Sequence, residues 1–319
     1  MSAASTTDLR PVSALAVGLA LASVYILWGS TYLAIRFALE GYPPFTLAAI
    51  RMAIAGSLMY AVLRWRGTPA PTKKQWITLA KLSIFMVVLS NALVNLAETQ
   101  VSSGLAAIAV ASMPLFAGVF AMLRGRHPSR MEWAGLVIGF CGVIWLSVGG
   151  ELAGSTLGLV CLIIAPLAWA WGSIWSRDQD LPEPFMAAAG QMLVGTLWLV
   201  VVALVAGERI TTMPSASATA ALLYLVVAGS IFGFTAYIWL LHHVRPALAT
   251  SYAYVNPPLA VLIGALIGGE VFTRTDLGAM AVILAGVVLI TLAKARGGSA
   301  APARPQTAEE RETAQEPAT

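Results

Sequence analysis

Charge is scarce in this chain. Asp, Glu, Lys and Arg make up 11% of its residues against 58% hydrophobic ones, and the mean hydropathy is +0.79. So little polar surface cannot cover a soluble globule of 319 residues, so the composition excludes that class. There are two cysteines, Cys141 and Cys161, both inside apolar runs; no disulfide framework or metal-ligand spacing follows, and packing is their reading. The three histidines, His127, His242 and His243, lie near loops and away from any nucleophile, so a membrane-embedded enzyme lacks its base and its metal ligands. No Gly-Lys-Ser phosphate loop occurs, which excludes a nucleotide-driven pump within the chain and leaves no cofactor implied. No Asp or Glu sits in the middle of an apolar run, so no mid-membrane proton carrier is evident. Nor is there a stripe of Lys and Arg interleaved with aromatics. The net charge of +4 is therefore a topology signal and does not point to nucleic acid.

What is present is a series of apolar runs of about 20 residues, the length that crosses a bilayer as a helix. Ten are expected: 13–39, 45–63, 77–97, 104–123 and 131–148 in the first half, then 156–176, 185–206, 218–241, 246–267 and 277–292 in the second. The fold class is an all-α membrane protein. Residues 1–12 and 296–319 are expected as cytoplasmic tails, the latter disordered; 13–149 and 150–295 form two five-helix units. The first run, despite Arg10 before it and Ala20-Leu21-Ala22 within it, is too long for a cleaved signal and is expected to be retained.

Cytoplasmic loops keep Lys and Arg near span ends. The even-numbered loops carry them: Arg64, Arg66, Lys73 and Lys74; Arg124, Arg126 and Arg130; Arg177; Arg245; then Lys294 and Arg296 after the tenth run. The odd-numbered loops hold Arg209 and Arg274 alongside Glu40, Glu98, Glu151, Glu208 and Glu270. Both termini are expected in the cytoplasm.

The two halves also echo each other. Trp28-Gly29-Ser30 recurs 143 positions on as Trp171-Gly172-Ser173, and Pro114 recurs as Pro257 at the same offset. Phe45, Arg51 and Met52 correspond to Phe185, Gln191 and Met192 at 140, and Glu132 with Gly142 to Asp276 with Gly286 at 144. Ordered matches at a nearly constant offset indicate an internal repeat. An odd number of spans per half places the second half upside down, the inverted-repeat plan of many secondary transporters. Gly29, Gly172, Pro114 and Pro257 then read as hinges.

Tyr25, Trp28, Tyr32 and Arg36 share one face of the first span. That stripe, with Ser30, either lines a pathway or forms an interfacial aromatic belt with Arg36 reaching outward. Arg51 lies within the second span, where an unpaired guanidinium is costly; it pairs with a substrate carboxylate, with Glu98 or with helix-end carbonyls. Asn91, Asn95 and Glu98 share a face of the third span. Trp171 and Trp175 share a face of the sixth, and Tyr252 and Asn256 one of the ninth beside Pro257-Pro258, where the missing amide either frees a carbonyl for substrate or makes a packing kink. Gln191 in place of a second Arg makes the two mouths electrically unequal. Gly135 and Gly139, four apart, permit close helix contact; the fifth and tenth spans read as scaffold or as a homodimer surface.

The run from Tyr25 to Tyr32, YILWGSTY, followed by Arg36, Pro43-Pro44 and Arg51, resembles the first motif of the EamA-type drug/metabolite transporters. Residues 247–257, ALATSYAYVNP, are similar to that family's ninth-helix signature, although Pro258 beside Pro257 departs from it. The resemblance runs through all ten spans. It implies an inner-membrane carrier in the bacterial plasma membrane, commonly an exporter of amino acids, related metabolites or amphipathic drugs, with spans one to four and six to nine around a central cavity. The expected partners are a small-molecule substrate and the lipid bilayer. A receptor or assembly subunit that binds small molecules without moving them is the alternative.

Overall fold

A computed structural model describes residues 13–125, 128–148, 155–244, 248 and 251–297. Residues 1–12 and 298–319 of the tails, His127, and Arg126, Glu151 and Arg245 of the charge pattern lie outside them. The described residues are helical with no strand. In chain order the helices are α1 (Ala14–Leu39), α2 (Pro44–Trp65), α3 (Lys73–Ala97), α4 (Ser103–Leu123), α5 (Arg130–Val148), α6 (Thr156–Asp178), α7 (Pro184–Val205), α8 (Ala216–Leu240), α9 (Tyr252–Leu266) and α10 (Arg274–Ala293). Among the described residues nine of these are long and apolar enough to cross a membrane, and α9, at 15 residues, is shorter.

Starts are set by local chemistry that recurs between the halves. Pro44 and Pro184 open α2 and α7, where the missing amide costs nothing. Thr72 with Gln75 forms a capping box on α3, and Ser215, 143 positions on, caps α8 through the Ala218 amide at 3.1 Å. Ser129 with Glu132 caps α5; Thr273 with Asp276 caps α10. The acidic residues matched in sequence at an offset of 144 are thus helix caps in both halves.

Neither α3 nor α8 is a uniform α-helix. Residues Ile84–Ala92 of α3 and Leu225–Phe232 of α8 are π-helical, and these two segments begin 141 positions apart. A π stretch widens the helix and leaves backbone groups free to meet neighbours, a feature often found at functional sites. Helix α4 breaks at Ala111-Ser112 just before Pro114, whereas Pro257 lies inside a continuous α9. α1 and α6 run unbroken through Gly29 and Gly172, and these glycines serve close packing: a Cβ on Gly29 would lie 2.9 Å from Leu259, one on Gly172 2.8 Å from Met86.

α2 packs along α7, and α5 along α10. At the second interface backbones touch: a Cβ on Gly286 would meet the Gly139 amide nitrogen at 2.5 Å and the Gly135 carbonyl at 2.6 Å. The small-residue face of α5 is therefore filled by α10 of the same chain. α1 packs on α8 and α9; α6 packs on α3 and α4. At one end Arg36 in the last turn of α1 pairs with Glu270 after α9 at 2.7 Å. At the other, Arg124 after α4 pairs with Asp178 at the end of α6. Helix α4 spans the two ends: its first amides, of Ser103 and Gly104, donate to Glu270 at 2.9 and 3.1 Å, and Arg124 follows its last residue.

Candidate functional site

A cavity of about 150 Å³ lies inside the bundle. That is the size that holds a benzene ring, many times what one water needs. α1 contributes Trp28, Thr31, Tyr32 and Ile35; α2 contributes Arg51; α3 contributes Ser90, Asn91 and Val94. α4 adds Ala107, Val110, Ala111 and Met113, α6 adds Pro166 and Trp169, α8 adds Gly229 and Phe234, and α9 adds Tyr252, Ala253, Asn256 and Pro257. Helices α5, α7 and α10 supply none of these, so of the eight helices that the resemblance implies around the cavity, all but α7 line it.

The polar groups converge on the widened segments. Ser90 and Asn91 lie in the π stretch of α3, Gly229 and Ser230 in that of α8. The Trp28 indole donates from Nε1 to the Gly229 carbonyl at 3.1 Å, and Arg51 donates from Nε to the Ser230 hydroxyl at 2.8 Å. Arg51 is only 8% exposed, and a Cβ added to Gly229 would lie 3.2 Å from its Nη2. Glycine at 229 therefore makes room for the guanidinium. Around Trp28 stand Tyr252 at 4.9 Å between ring centres, Tyr237 at 5.2 Å and Phe234 at 5.7 Å, mostly edge to face. Asn256, 6% exposed, lines the same cavity with its Oδ1 bonded to nothing. A buried amide oxygen without a donor costs about 1–3 kcal/mol, so a ligand donor there is favourable.

Of the residues expected along the pathway, Trp28, Tyr32, Arg51, Asn91, Tyr252 and Asn256 meet in this cavity, together with Pro257. The rest stand elsewhere. Tyr25 shares a 2.5 Å hydrogen bond with Ser251, and Ser30 bonds the Ile26 carbonyl and the Tyr224 hydroxyl. Asn95 donates to the Pro44 carbonyl at 3.2 Å, tying α3 to the start of α2. Trp171 stacks edge to face on Phe120 and Trp175 on Phe85, both outside the cavity, and Gln191 sits half-buried on α7. Glu98 is the first residue beyond α3, buried and within electrostatic reach of the cavity cation Arg51 and of the Arg36–Glu270 pair. Burial first, then the Glu270 carboxylate, raises its carboxyl well above the ordinary range against the pull of Arg36 and Arg51.

Sequence reasoning missed Trp169, Pro166, Thr31, Phe234 and Ser230. Pro166 carried a signal, a proline inside an apolar run, as did Ser230, a hydroxyl in the middle of one.

A bundle of apolar helices around an inner cavity of mixed polar and aromatic lining is an architecture that suits a membrane carrier. The chain belongs to the EamA-like transporter family, whose model matches it twice, over residues 14–148 and 156–292. It is 41% identical over 276 residues to the "Uncharacterized inner membrane transporter YedA" of Escherichia coli K12, covering 86% of this chain and 90% of that one. An "Uncharacterized transporter" of Archaeoglobus fulgidus is 26% identical over 75% of this chain and 84% of its own. A protein crystal structure at 19% identity superposes with a TM-score of 0.62 over 86% of this chain and 97% of that one, a likeness of fold. The chain is thus a multi-pass inner-membrane protein of a transporter family, not of an enzyme family.

Proposed function

We propose that the chain carries small amphipathic metabolites, such as amino acids, related compounds or drugs, across the inner membrane by alternating access. The observation that carries this reading is the cavity itself: one buried cation, one unpaired amide oxygen and aromatic walls, set between an ion pair at each end of the bundle. Arg51 receives the anionic group of the substrate, Asn256 Oδ1 accepts from a donor, and Trp28, Tyr32, Tyr252 and Trp169 cover its apolar body.

The contact pattern supports an inverted repeat of five plus five helices, with α9 completing the second set. α2 meets its counterpart α7 and α5 meets α10, while α1 against α8 and α9 mirrors α6 against α3 and α4. A pseudo-two-fold axis in the membrane plane produces this exchange. The ion pairs obey it with their charges swapped: Arg36 of α1 holds Glu270 beyond α9, and Asp178 of α6 holds Arg124 beyond α4. With the basic loops and both termini in the cytoplasm, the Arg36–Glu270 end faces outward and the Arg124–Asp178 end inward. Each pair closes one mouth, and a substrate crosses when they open in turn. Export is the direction that the family resemblance suggests.

The test is counterflow of radiolabelled amino acids and amphipathic compounds into liposomes holding the purified protein. Saturable exchange above empty liposomes supports a carrier. Binding without exchange would instead make the chain a receptor or assembly subunit, and neither binding nor exchange would end the reading.

A further inference from the structure

Glu98 is 6% exposed, and neither carboxylate oxygen has a hydrogen-bond partner. Among the described residues the acidic group that acts on it, Glu270, is occupied: it holds Arg36 and the amides of Ser103 and Gly104. The charged and titratable groups facing Glu98 come from three elements: Tyr32 and Arg36 of α1, Arg51 of α2 and Glu270 of the segment after α9. Arg51 is turned away, bonded to Ser230 across the cavity, and Arg36 is turned to Glu270. An ionised carboxylate buried within electrostatic reach of two guanidinium groups would draw one of them; a neutral one would leave both where they stand. An unpaired carboxyl with both guanidinium groups engaged elsewhere favours the neutral acid.

We propose that Glu98 is a proton-binding site that links the cavity to the Arg36–Glu270 closure. With the proton bound, Arg36 stays on Glu270 and the mouth is shut. When the proton leaves to the aqueous side, the new carboxylate competes with Glu270 for Arg36 and for Arg51, and the closure loosens. One proton bound and one released is the whole of the step. Gly264 keeps Glu270 from yielding by other means: a Cβ there would meet Glu270 Oε2 at 2.5 Å, so the Glu270 side is packed tight and Arg36, 43% exposed, is the partner free to move. This rests on the carrier reading given above.

Infrared spectroscopy of the full-length protein in liposomes reads the proton without requiring flux. The wild type at neutral pH is expected to show a protonated-carboxyl stretch that Glu98→Gln removes; Glu98→Asp, which keeps the acid, serves as a second variant and shifts the band if the Gln variant is not recovered. In counterflow, the wild-type rate should rise with pH, up to about tenfold per pH unit for a single titrating group. Glu98→Gln should hold the low-pH rate at every pH. A missing band, a band unmoved by both variants, or an unchanged pH profile in Glu98→Gln overturns the proposal. If no substrate exchanges in the wild type while the band is lost in Glu98→Gln, the carrier reading fails and the proton site stands.

Discussion

Arg51 on α2 and Ser230 on α8 are joined at 2.8 Å from guanidinium Nε to hydroxyl, so a cation of the first repeat is anchored to the π-helical stretch of the second. The bond uses Nε. The planar end of the guanidinium remains to present a fork to an anion, which is the geometry that suits a carboxylate. A buried Arg held this way is costly to keep unless something in the cavity uses its charge.

Arg51→Ala is therefore expected to lower exchange of an anionic or zwitterionic substrate at least about tenfold, equivalent to about 1.4 kcal/mol, with normal membrane insertion. Arg51→Lys should recover only part, since a point charge replaces the fork. Counterflow alongside membrane yield checks this; unchanged half-saturation in Arg51→Ala would take the residue out of the pathway.

Asn256→Leu separates ligand binding from folding. Its Oδ1 is buried and unpaired, so an apolar residue of similar shape should leave thermal stability in detergent equal or higher, by about 1 kcal/mol at most. Transport affinity should fall at the same time. A variant that loses stability and keeps its affinity would make Asn256 a packing residue.

Gly286→Ala should do the reverse. A methyl there meets Gly139 and Gly135 backbone atoms at 2.5 and 2.6 Å, and forcing α5 and α10 apart should cost about 1–3 kcal/mol of stability. Because neither helix reaches the cavity, exchange per folded molecule should stay as in the wild type. The thermal midpoint and the specific exchange rate, measured on one preparation, distinguish the two effects.

The helices were legible because each apolar run is bounded by charge or by a cap, and lipid leaves a chain of this composition few other forms. Trp28, Arg51 and Asn256 stood out because polar or aromatic groups inside an apolar run need a reason. Helical spacing alone did not say which faces meet. Asn91, Asn95 and Glu98 share a face of an ideal α-helix, yet the π stretch through Ala92 alters the turn between Asn91 and Asn95 and Glu98 lies past the helix end, so Asn91 lines the cavity, Asn95 holds Pro44 and Glu98 feels the Arg36–Glu270 pair. The repeat misled in the other direction. Trp171 corresponds to Trp28 in sequence but packs on Phe120, and Trp169, two positions earlier and so on a different face of α6, lines the cavity with Pro166.

The ion pairs at the two ends differ in setting. Glu270 is buried and takes two backbone amides besides Arg36, while Asp178 is 65% exposed. An exposed pair is weak and screened by salt. Asp178→Asn should therefore disturb exchange less than Glu270→Gln does, and the difference should persist at high salt. Equal losses in the two variants would remove the distinction between the closures.

The most direct measurement is the reach of a thiol reagent to one cavity cysteine, Thr31→Cys in a Cys141→Ala, Cys161→Ala background, from each face of the membrane. Arg36→Cys with Glu270→Cys, cross-linked, locks one closure; Arg124→Cys with Asp178→Cys locks the other. Alternating access around this cavity predicts that each lock leaves the thiol reachable only from the opposite face and stops exchange. A thiol reached from both faces at once, or one whose reach ignores both locks, would contradict it.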